Sequence, residues 1–454
     1  MATAGALPDD LLDEILLRMP ARSILRCRAV CKAWRSRTSH PYFLRAHAAR
    51  SRIIAAAVVD TTVIPDGEVC TTISIRPLGD GDGDRSGAAV SSSSSFASVR
   101  FDSRPFVLGS WDGVVCLVPR PTAGFVRPGI DRYVLVNPLT KACTTVLAPE
   151  TRGIVICGYA HPTTSRYHLL HAHSFFSYDG TARATIQILR VGEKNNVWRK
   201  IARHPAPAGV VESRTYFRLG GAPPVSLHGC LHWLVAPSSA RPLLSVFDME
   251  REEFRQMDTP EQWARHGNLP HMMGVQIARR SGKLCAFVNE ASASALGMWM
   301  LEDYSDPSSW RLERRIDYSR HGAGSRNVAR TFRNKFSAAT TAVEVLPDGV
   351  NGGGGEEEIM FQFLINQFDV REAVYNVGRG AWRWRRILPP TRRVMTHKEC
   401  MLPREVSFGG SAHFVEESDI GGHRCFLLMV VAGVVGFGLA RFKRGSKMWL
   451  ILII

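Results

Sequence analysis

Three histidines lie within six residues, at His168, His171 and His173, and could bind a metal ion. In an extended strand His171 and His173 would share one face, as two ligands of one ion must. No cysteine or carboxylate stands at ligand spacing beside them. We therefore favour surface histidines over a metal site, and we predict that the protein holds no metal and no other cofactor.

A second candidate ligand set is the run of alternating aspartates from Asp80 to Asp84, which resembles the start of a calcium-binding loop. Such a loop needs glycine at its sixth position and glutamate at its twelfth, where this chain has Arg85 and Ser91. The surrounding sequence is rich in glycine and serine. We therefore predict a disordered polar loop over residues 79–98 instead of a calcium site.

The segment Trp382-Arg-Trp-Arg-Arg combines aromatic rings with positive charges, which could stack on and neutralise a nucleic acid strand. The same alternation fits a strand with tryptophans inward and arginines outward, and we favour that interpretation. The chain contains no Gly-x-x-x-x-Gly-Lys, Gly-x-Ser-x-Gly or His-Glu-x-x-His motif. Because no catalytic constellation is recognisable, we predict a protein that is not an enzyme and does not bind nucleic acid.

The first fifty residues are patterned as three helices. Pro8 suits a first helical turn, and Pro20 ends that helix. The apolar stripe between them, at helical spacing, is formed by Leu12, Ile15, Leu16 and Met19. A second helix is predicted from the stripe Cys27, Val30, Cys31 and Trp34, which makes both cysteines core residues. Pro41 opens a third, short helix.

A module of this size buries little core of its own. Apolar residues beyond its internal stripes, namely Leu7, Leu11 and Ile24, are therefore expected on a surface that contacts a partner. From the pattern alone, an ordinary helical hairpin that caps a larger domain is an equal alternative.

The runs Leu7-Pro-Asp-Asp-Leu-Leu, Val30-Cys-Lys-Ala-Trp-Arg and His40-Pro-Tyr-Phe-Leu together resemble the F-box, the module that docks onto the Skp-type adaptor of cullin ubiquitin ligases. The resemblance implies a Skp-type adaptor as direct partner, and cullin and RING subunits through it. It also implies that one set of residues serves the adaptor interface and the internal core of the module: Leu7, Pro8, Leu11, Ile15, Leu16, Leu25, Val30, Cys31 and Trp34.

Composition points to an intracellular chain. The 454 residues carry a formal charge of +16, mostly as arginine scattered along the chain, which indicates a solvated surface. The ten cysteines contain no C-x-x-C pair, and the first residues lack the basic and apolar regions of a signal peptide. We therefore expect a reducing compartment, the cytoplasm or the nucleus.

After residue 50 the chain repeats one strand–turn–strand unit, in which the second strand begins with an aromatic residue and arginine. The clearest copies lead to Trp198, Phe254, Trp310 and Trp382, and a degenerate copy ends at Cys143. A second hairpin with a turn glycine interleaves with it, at Gly113, Gly229 and Gly282. Two hairpins per about 55 residues predict a β-propeller of about six to eight blades, with a pair of β-sandwiches as the alternative.

Three of these segments resemble elements of the plant F-box-associated domain, whose repeats are kelch-like. They are Gly109-Ser-Trp-Asp-Gly-Val-Val-Cys-Leu, Val134-Leu-Val-Asn-Pro-Leu-Thr and Ile156-Cys-Gly-Tyr-Ala. The resemblance is clear over residues 100–320 and fades after them. It implies capture of a target protein without identifying that target.

We therefore predict an α plus all-β chain in three parts: a three-helix F-box at 5–50, a β-propeller-like substrate-binding domain at 51–430, and an atypical apolar and basic tail at 431–454. The apolar run from Cys425 to Ala440 has sixteen residues, fewer than a membrane span needs. We favour a closing strand pair of the propeller over a tail anchor in a membrane.

Three functions remain open from the sequence. The favoured one is the substrate-recognition subunit of a Skp–cullin–F-box E3 ubiquitin ligase, which recruits an unknown target protein for ubiquitination and degradation. A propeller enzyme would need paired carboxylates or a Tyr/His/Cys copper set near the propeller axis. A module that binds protein, sugar or nucleic acid outside a ligase would not depend on Leu7, Pro8 or Trp34.

Overall fold

The computed structural model contains an N-terminal group of helices followed by antiparallel sheets. It describes residues 9–50, 53–63, 69–77, 97–101, 105–119, 130–151, 153–176, 182–193, 197–201, 224–235, 242–266, 275–290, 293–318, 340–346, 357–366, 369–387, 392–401, 408 and 413–414. The predicted α plus all-β class is confirmed.

The N-terminal region forms four helices, where the sequence predicted three. They are α1 (Asp9–Arg18), α2 (Ala21–Cys27), α3 (Lys32–Ser39) and α4 (Pro41–Arg50). The predicted second helix is broken because Cys31 adopts an extended conformation (φ −156°, ψ 163°). Its thiol accepts a hydrogen bond from the Trp34 backbone N–H and so caps the start of α3.

The helices enclose a small apolar core. Its buried members within the helices are Leu16, Ala21, Ile24, Phe43 and Leu44. The prediction that Ile24 lies on a partner surface is therefore wrong, because its side chain is completely buried. The assignment of Cys31 to the core is also wrong, since it is exposed, and Cys27 is half-buried.

The strands form six antiparallel sheets in the described part of the chain, five with four strands and one with five. We call these sheets blades 1 to 6. Blade 1 contains β1 (Ile53–Val63), β2 (Val69–Pro77), β3 (Ala97–Phe101) and, from the far end of the chain, β24 (Arg392–Lys398). Blade 2 contains β4 (Phe106–Trp111), β5 (Val114–Val118), β6 (Arg132–Asn137), β7 (Ala142–Leu147) and an added fifth strand, β25 (His413–Phe414).

Blades 3 to 6 each come from one continuous stretch of chain. Blade 3 contains β8 (Ile154–Ala160), β9 (Tyr167–Phe176), β10 (Ala182–Arg190) and β11 (Arg199–Lys200). Blade 4 contains β12 (Val225–Leu227), β13 (Cys230–Val235), β14 (Leu243–Asp248) and β15 (Glu253–Met257). Blade 5 contains β16 (Val275–Arg280), β17 (Lys283–Glu290), β18 (Ala295–Leu301) and β19 (Trp310–Asp317). Blade 6 contains β20 (Thr340–Leu346), β21 (Glu358–Asn366), β22 (Asp369–Asn376) and β23 (Ala381–Ile387).

The first strands of the blades line the centre of a closed ring. Among neighbouring first strands, β24 contacts β4, and β4 contacts β8. Further along the ring, β12 contacts β16, β16 contacts β20, and β20 contacts β24. The ring closes because β24 pairs with β1, from Lys398 opposite Ile53 to Arg392 opposite Asp60. This is the predicted propeller, and it differs from the alternative of two sandwiches. The described blades number six, the lower end of the predicted six to eight.

The interleaved hairpin predicted from its turn glycine joins the first and second strands of blades 2, 4 and 5. Its two turn residues have positive φ in all three: Asp112–Gly113, His228–Gly229 and Ser281–Gly282. Two consecutive residues with positive φ define the tight turn that suits the twist of antiparallel strands. Glycine at the second position adopts this conformation without steric cost.

The repeated aromatic residue at the start of a fourth strand connects one blade to the blade before it. The Trp198 indole N–H donates to the carbonyl of Leu147, the last residue of β7, at 2.8 Å. The Trp382 indole N–H donates in the same way to Asp317, the last residue of β19, at 3.0 Å. Trp382 is half-buried while Arg383 is exposed and pairs with Glu358 at 2.7 Å, as the strand interpretation of this segment predicts.

Blades 5 and 6 are also joined by an ion pair. Arg280 of β16 forms hydrogen bonds from its Nε to both carboxylate oxygens of Glu357, at 3.0 Å each. We expect Arg280→Ala to lower the free energy of unfolding by about 1–2 kcal/mol, because Glu357 loses its partner in a partly buried setting. Lys283→Ala, which removes a more exposed pair with Glu302, should leave the urea midpoint unchanged. Equal midpoints for both variants would contradict this prediction.

Several predictions fall on residues outside the described part of the chain. These are Leu7 and Pro8, the alternating aspartates, most of the loop at 79–98 (Ala97 and Ser98 belong to β3), and the tail at 431–454. In the part that the structure does describe, none of the helices is both long and apolar enough to cross a lipid bilayer.

Candidate functional site

Two exposed apolar side chains stand on the first helix. Leu11 is 53% exposed and Ile15 is 48% exposed. They lie four residues apart in α1, so they occupy the same face of the helix. Exposed leucine and isoleucine on one face of a small helical module indicate a surface that a partner covers.

A second exposed apolar group lies in the turn between α2 and α3. Val30 is 68% exposed there and Cys31 beside it is exposed, while Trp34 in the first turn of α3 is half-buried. Tyr42 in α4 is also 68% exposed. Of the residues carried over from the F-box resemblance, Leu11, Ile15, Val30 and Cys31 are thus accessible to a partner.

The remaining members of that set face the helical core or are not described. Leu16 is 1% exposed, and Leu25 is half-buried against the same core. Leu16 therefore supports the module from inside and does not present a contact surface. Leu7 and Pro8 precede the described residues.

The helical module carries an excess of basic side chains, and two of its acidic side chains are paired within the module. Residues 9–50 hold nine arginine or lysine residues against four aspartate or glutamate residues. Asp13 pairs with Arg37 at 2.9 Å, and Glu14 pairs with Arg50 at 2.9 Å. Arg50, and Arg18 to a smaller extent, hold the pKa of Glu14 below its usual value. This excess of positive charge favours a partner with an acidic surface.

The helices rest on one face of the propeller, where the turns between first and second strands and between third and fourth strands lie. Buried Cys400 and Met401, directly after β24, pack into the helical core. Half-buried Leu139 and Ala160, from blades 2 and 3, contact the same core. The F-box-like module is thus joined to the propeller by an apolar contact and not only by the chain between α4 and β1.

The three segments that resemble the plant domain contribute hydrogen bonds at this junction on the propeller side. Asp112 accepts hydrogen bonds from the Ala160 backbone N–H at 3.0 Å and from the Lys398 ammonium at 3.3 Å. The Asn137 side-chain amide donates to the Cys400 carbonyl at 3.0 Å. The sequence motifs were visible, but nothing in residues 398–401 marked them as the other half of the junction.

The histidines considered as metal ligands are mostly buried. His168 and His171 are each 1% exposed, so their interpretation as surface residues is wrong, and His173 is half-buried. The His168 Nδ1 lies 3.1 Å from the Tyr159 hydroxyl. Burial lowers the pKa of His168 to about 3 and the pKa of His171 to about 4, so both are neutral. The described residues contain no group of three His, Cys, Asp or Glu side chains that could hold a metal ion.

Two further buried histidines hold hydrogen bonds inside the propeller. His232 Nδ1 lies 2.9 Å from the Val225 carbonyl and must donate to it, so Nε2 accepts from the Tyr304 hydroxyl at 2.7 Å. His397 of β24 pairs with the Ser110 hydroxyl at 2.8 Å. Burial lowers the pKa of each of these histidines to about 4.

A cleft of about 420 Å³, including space open to solvent, lies between blades 4 and 5. Leu227, Leu284 and Leu301 form its apolar part, and Tyr304 forms one wall. Lys283 and Glu302 of the cleft pair with each other, and the Tyr304 hydroxyl accepts a hydrogen bond from Arg255, outside the cleft, at 3.0 Å. The polar groups of the cleft therefore do not indicate which class of ligand it would bind.

Models of known protein families match both parts of the chain. A family model for the F-box domain matches residues 6–46, and a model for the F-box associated beta propeller domain matches residues 84–345, more than half of the chain. An F-box/kelch-repeat protein of Arabidopsis thaliana is 25% identical over 320 residues, which cover 66% of this chain and 69% of that protein. The F-box protein CPR1 of the same plant is 24% identical over 331 residues, covering 67% and 72%.

A short stretch of the chain shows higher identity to a further relative. Over 49 residues, 11% of this chain and 13% of the other, an Arabidopsis thaliana F-box protein is 51% identical. F-box domains generally bind Skp-type adaptors, and proteins that carry them are typically non-catalytic substrate adaptors of cullin ligases. The paired domains and the F-box relatives support that general role for this chain.

Proposed function

This chain belongs to the F-box-associated β-propeller family, and from that premise we propose that it is the substrate-recognition subunit of a Skp–cullin–F-box ubiquitin ligase that marks a target protein for degradation. The observation that carries the proposal is the accessible apolar set Leu11, Ile15 and Val30 on a helical module that matches the F-box. We call these three residues the adaptor face. The compartment proposed for this activity is the cytoplasm or the nucleus.

The mechanism requires no chemistry from this chain. The helical module would hold the adaptor, and the propeller would hold the target, so that target lysines come within reach of the ubiquitin-conjugating enzyme. Holding two reactants close together replaces a bimolecular encounter with an effectively unimolecular step. The basic helical surface supports an encounter with an acidic adaptor surface.

Co-purification of the full chain with a Skp-type adaptor tests the proposal. We expect Ile15→Asp combined with Val30→Asp to weaken binding at least about 100-fold, because two charges would be buried in an apolar interface. Val197→Asp is the matched control, since Val197 is an apolar residue of blade 3 with 60% exposure. A change at Leu16 would be uninformative because that side chain belongs to the core.

Three results would count against the proposal. One is an intact chain that forms no complex with the adaptor. Another is a double variant that binds as tightly as the intact chain with its circular dichroism unchanged. The third is equal weakening by Val197→Asp. Any of them would favour a binding module that acts outside a ligase.

A further inference from the structure

The core of the helical module is completed by residues from the opposite end of the chain. Cys400 and Met401 are 4% and 2% exposed, and they pack with Leu16, Ala21 and Ile24. A module of about 45 residues buries little apolar surface by itself and is marginally stable. These two side chains therefore supply part of the core that the helices lack.

The residue before them caps one of the helices. The first residue before α2 is Pro20, which provides no side-chain hydrogen bond to the helix start. The Glu399 carboxyl lies at this helix start instead and is only 2% exposed. Burial raises its pKa, and the backbone N–H groups of Arg22 and Ala21 partly offset that rise, while its Oε2 atom is buried without a hydrogen-bond partner among the described residues. A carboxylate at this position satisfies free N–H groups and faces the positive end of the helix.

The same short segment is fixed on its other side to the closed ring. Lys398 is the last residue of β24, the strand that closes the ring against β1. Its ammonium pairs with Asp112, and the Cys400 carbonyl accepts from Asn137. Gly113 lies so close to Cys400 that an added methyl group would overlap its Cβ atom. Residues 398–401 can take this path only when β24 is in place.

We infer that the helical module of this chain is a conditional fold, completed by residues 398–401, so that it reaches its adaptor-binding form only when the propeller ring has closed. Ring closure and the stability of the module are then coupled through Glu399 and Met401. An incomplete or opened propeller presents a loosened F-box. The consequence for adaptor binding rests on the function proposed above, whereas the coupling itself does not.

Amide hydrogen exchange of the full-length chain tests the coupling without any partner. We expect Met401→Ala to speed exchange of the slowest amides in α1 and α2 at least about tenfold, since local protection follows the local free energy of opening. Met257→Ala is the matched control, because Met257 in blade 4 is also 2% exposed and does not contact the helices. It should change exchange in α1 and α2 less than about twofold.

The position of Glu399 at the start of α2 provides a second, independent test of the coupling. Glu399→Ala should speed exchange in α2 at least about threefold, and Glu399→Gln, which keeps an acceptor oxygen, should restore most of the protection. If Met401→Ala does not yield a folded chain, the comparison of Glu399→Ala with Glu399→Gln still tests the coupling. Unchanged exchange in Glu399→Ala, or equal exchange in the Met401→Ala and Met257→Ala variants, would overturn the inference.

Adaptor binding by the same variants separates this inference from the proposed function. Weaker binding by Met401→Ala than by Met257→Ala supports both. If the intact chain binds no adaptor, the proposed function fails, and the exchange data alone still decide whether the coupling exists. If the intact chain binds and Met401→Ala binds equally well despite faster exchange, the dependence of adaptor binding on ring closure is overturned.

Discussion

The protein is expected to lose several kcal/mol of folding stability between about pH 7 and about pH 5. Four of the buried histidines have large pKa shifts and contribute to this loss: His168, His171, His232 and His397. Burial holds their pKa values at about 3 for His168 and about 4 for the other three. In the unfolded chain a histidine has a pKa of about 6.5.

Whether the stability rises or falls with pH depends on which state, folded or unfolded, binds more protons. Below about pH 6.5 the histidines become protonated in the unfolded chain but stay neutral in the folded chain. Unfolding therefore becomes more favourable as the pH falls. The effect levels off near pH 4, where the folded histidines also become protonated. At about pH 5 each histidine costs about 2 kcal/mol, and the four together cost about 5–8 kcal/mol. A whole domain is stable by only about 5–15 kcal/mol, so the propeller should be close to unfolding there.

Urea midpoints measured across this pH range check the prediction. His397→Asn keeps a hydrogen-bonding group near the Ser110 hydroxyl and removes one titrating ring. We expect this variant to take up about one proton fewer on unfolding at about pH 5.5. A midpoint that stays flat between about pH 7 and about pH 5 would show that the histidines of the folded protein take up protons with pKa values near those of the unfolded chain.

Gly113→Ala is expected to cost about 3–5 kcal/mol, far more than the same change at Gly229. Both glycines hold the second position of a turn between first and second strands, with φ of +81° and +71°. Alanine in this conformation costs about 1–2 kcal/mol at either site. At Gly229 nothing lies within 4 Å of an added methyl group. At Gly113 the methyl group would overlap Cys400 Cβ and lie 3.0 Å from the Lys398 carbonyl oxygen.

The difference in unfolding free energy between the two variants separates the cost of the steric contact at Gly113 from the cost of backbone strain. Urea unfolding of Gly113→Ala and Gly229→Ala should give midpoints that differ by the cost of displacing residues 398–400. Equal losses would mean that this segment moves aside freely. In that case the close approach of blade 2 to Cys400 would contribute nothing to stability.

The local features of this protein were readable from its sequence because they depend on neighbours in the chain. Positive φ at Gly113 and Gly229 follows from a two-residue turn between strands, and glycine there was visible as a repeat. The aromatic residue at Trp198 and Trp382 recurred at a regular spacing, which predicted blades. The F-box segment was recognised from residues that lie within one short stretch.

Two of the predictions that failed have different origins. The predicted second helix fails at Cys31 because a thiol cap competes with helix continuation, and the apolar stripe does not record that competition. His168 and His171 were interpreted as surface residues because polar side chains usually are, yet in β9 of blade 3 they lie in the packed interior of the propeller.

The residue patterns alone predict the class of each part of this protein: a helical module that resembles the F-box, and a ring of short-strand hairpins. How the two parts meet became visible in the folded chain. Glu399 and Met401 carry no motif, and they approach Ala21 and Ile24 across more than three hundred residues because β24 closes the ring beside β1. Contacts between residues so far apart depend on the path of the whole chain, which no local pattern encodes.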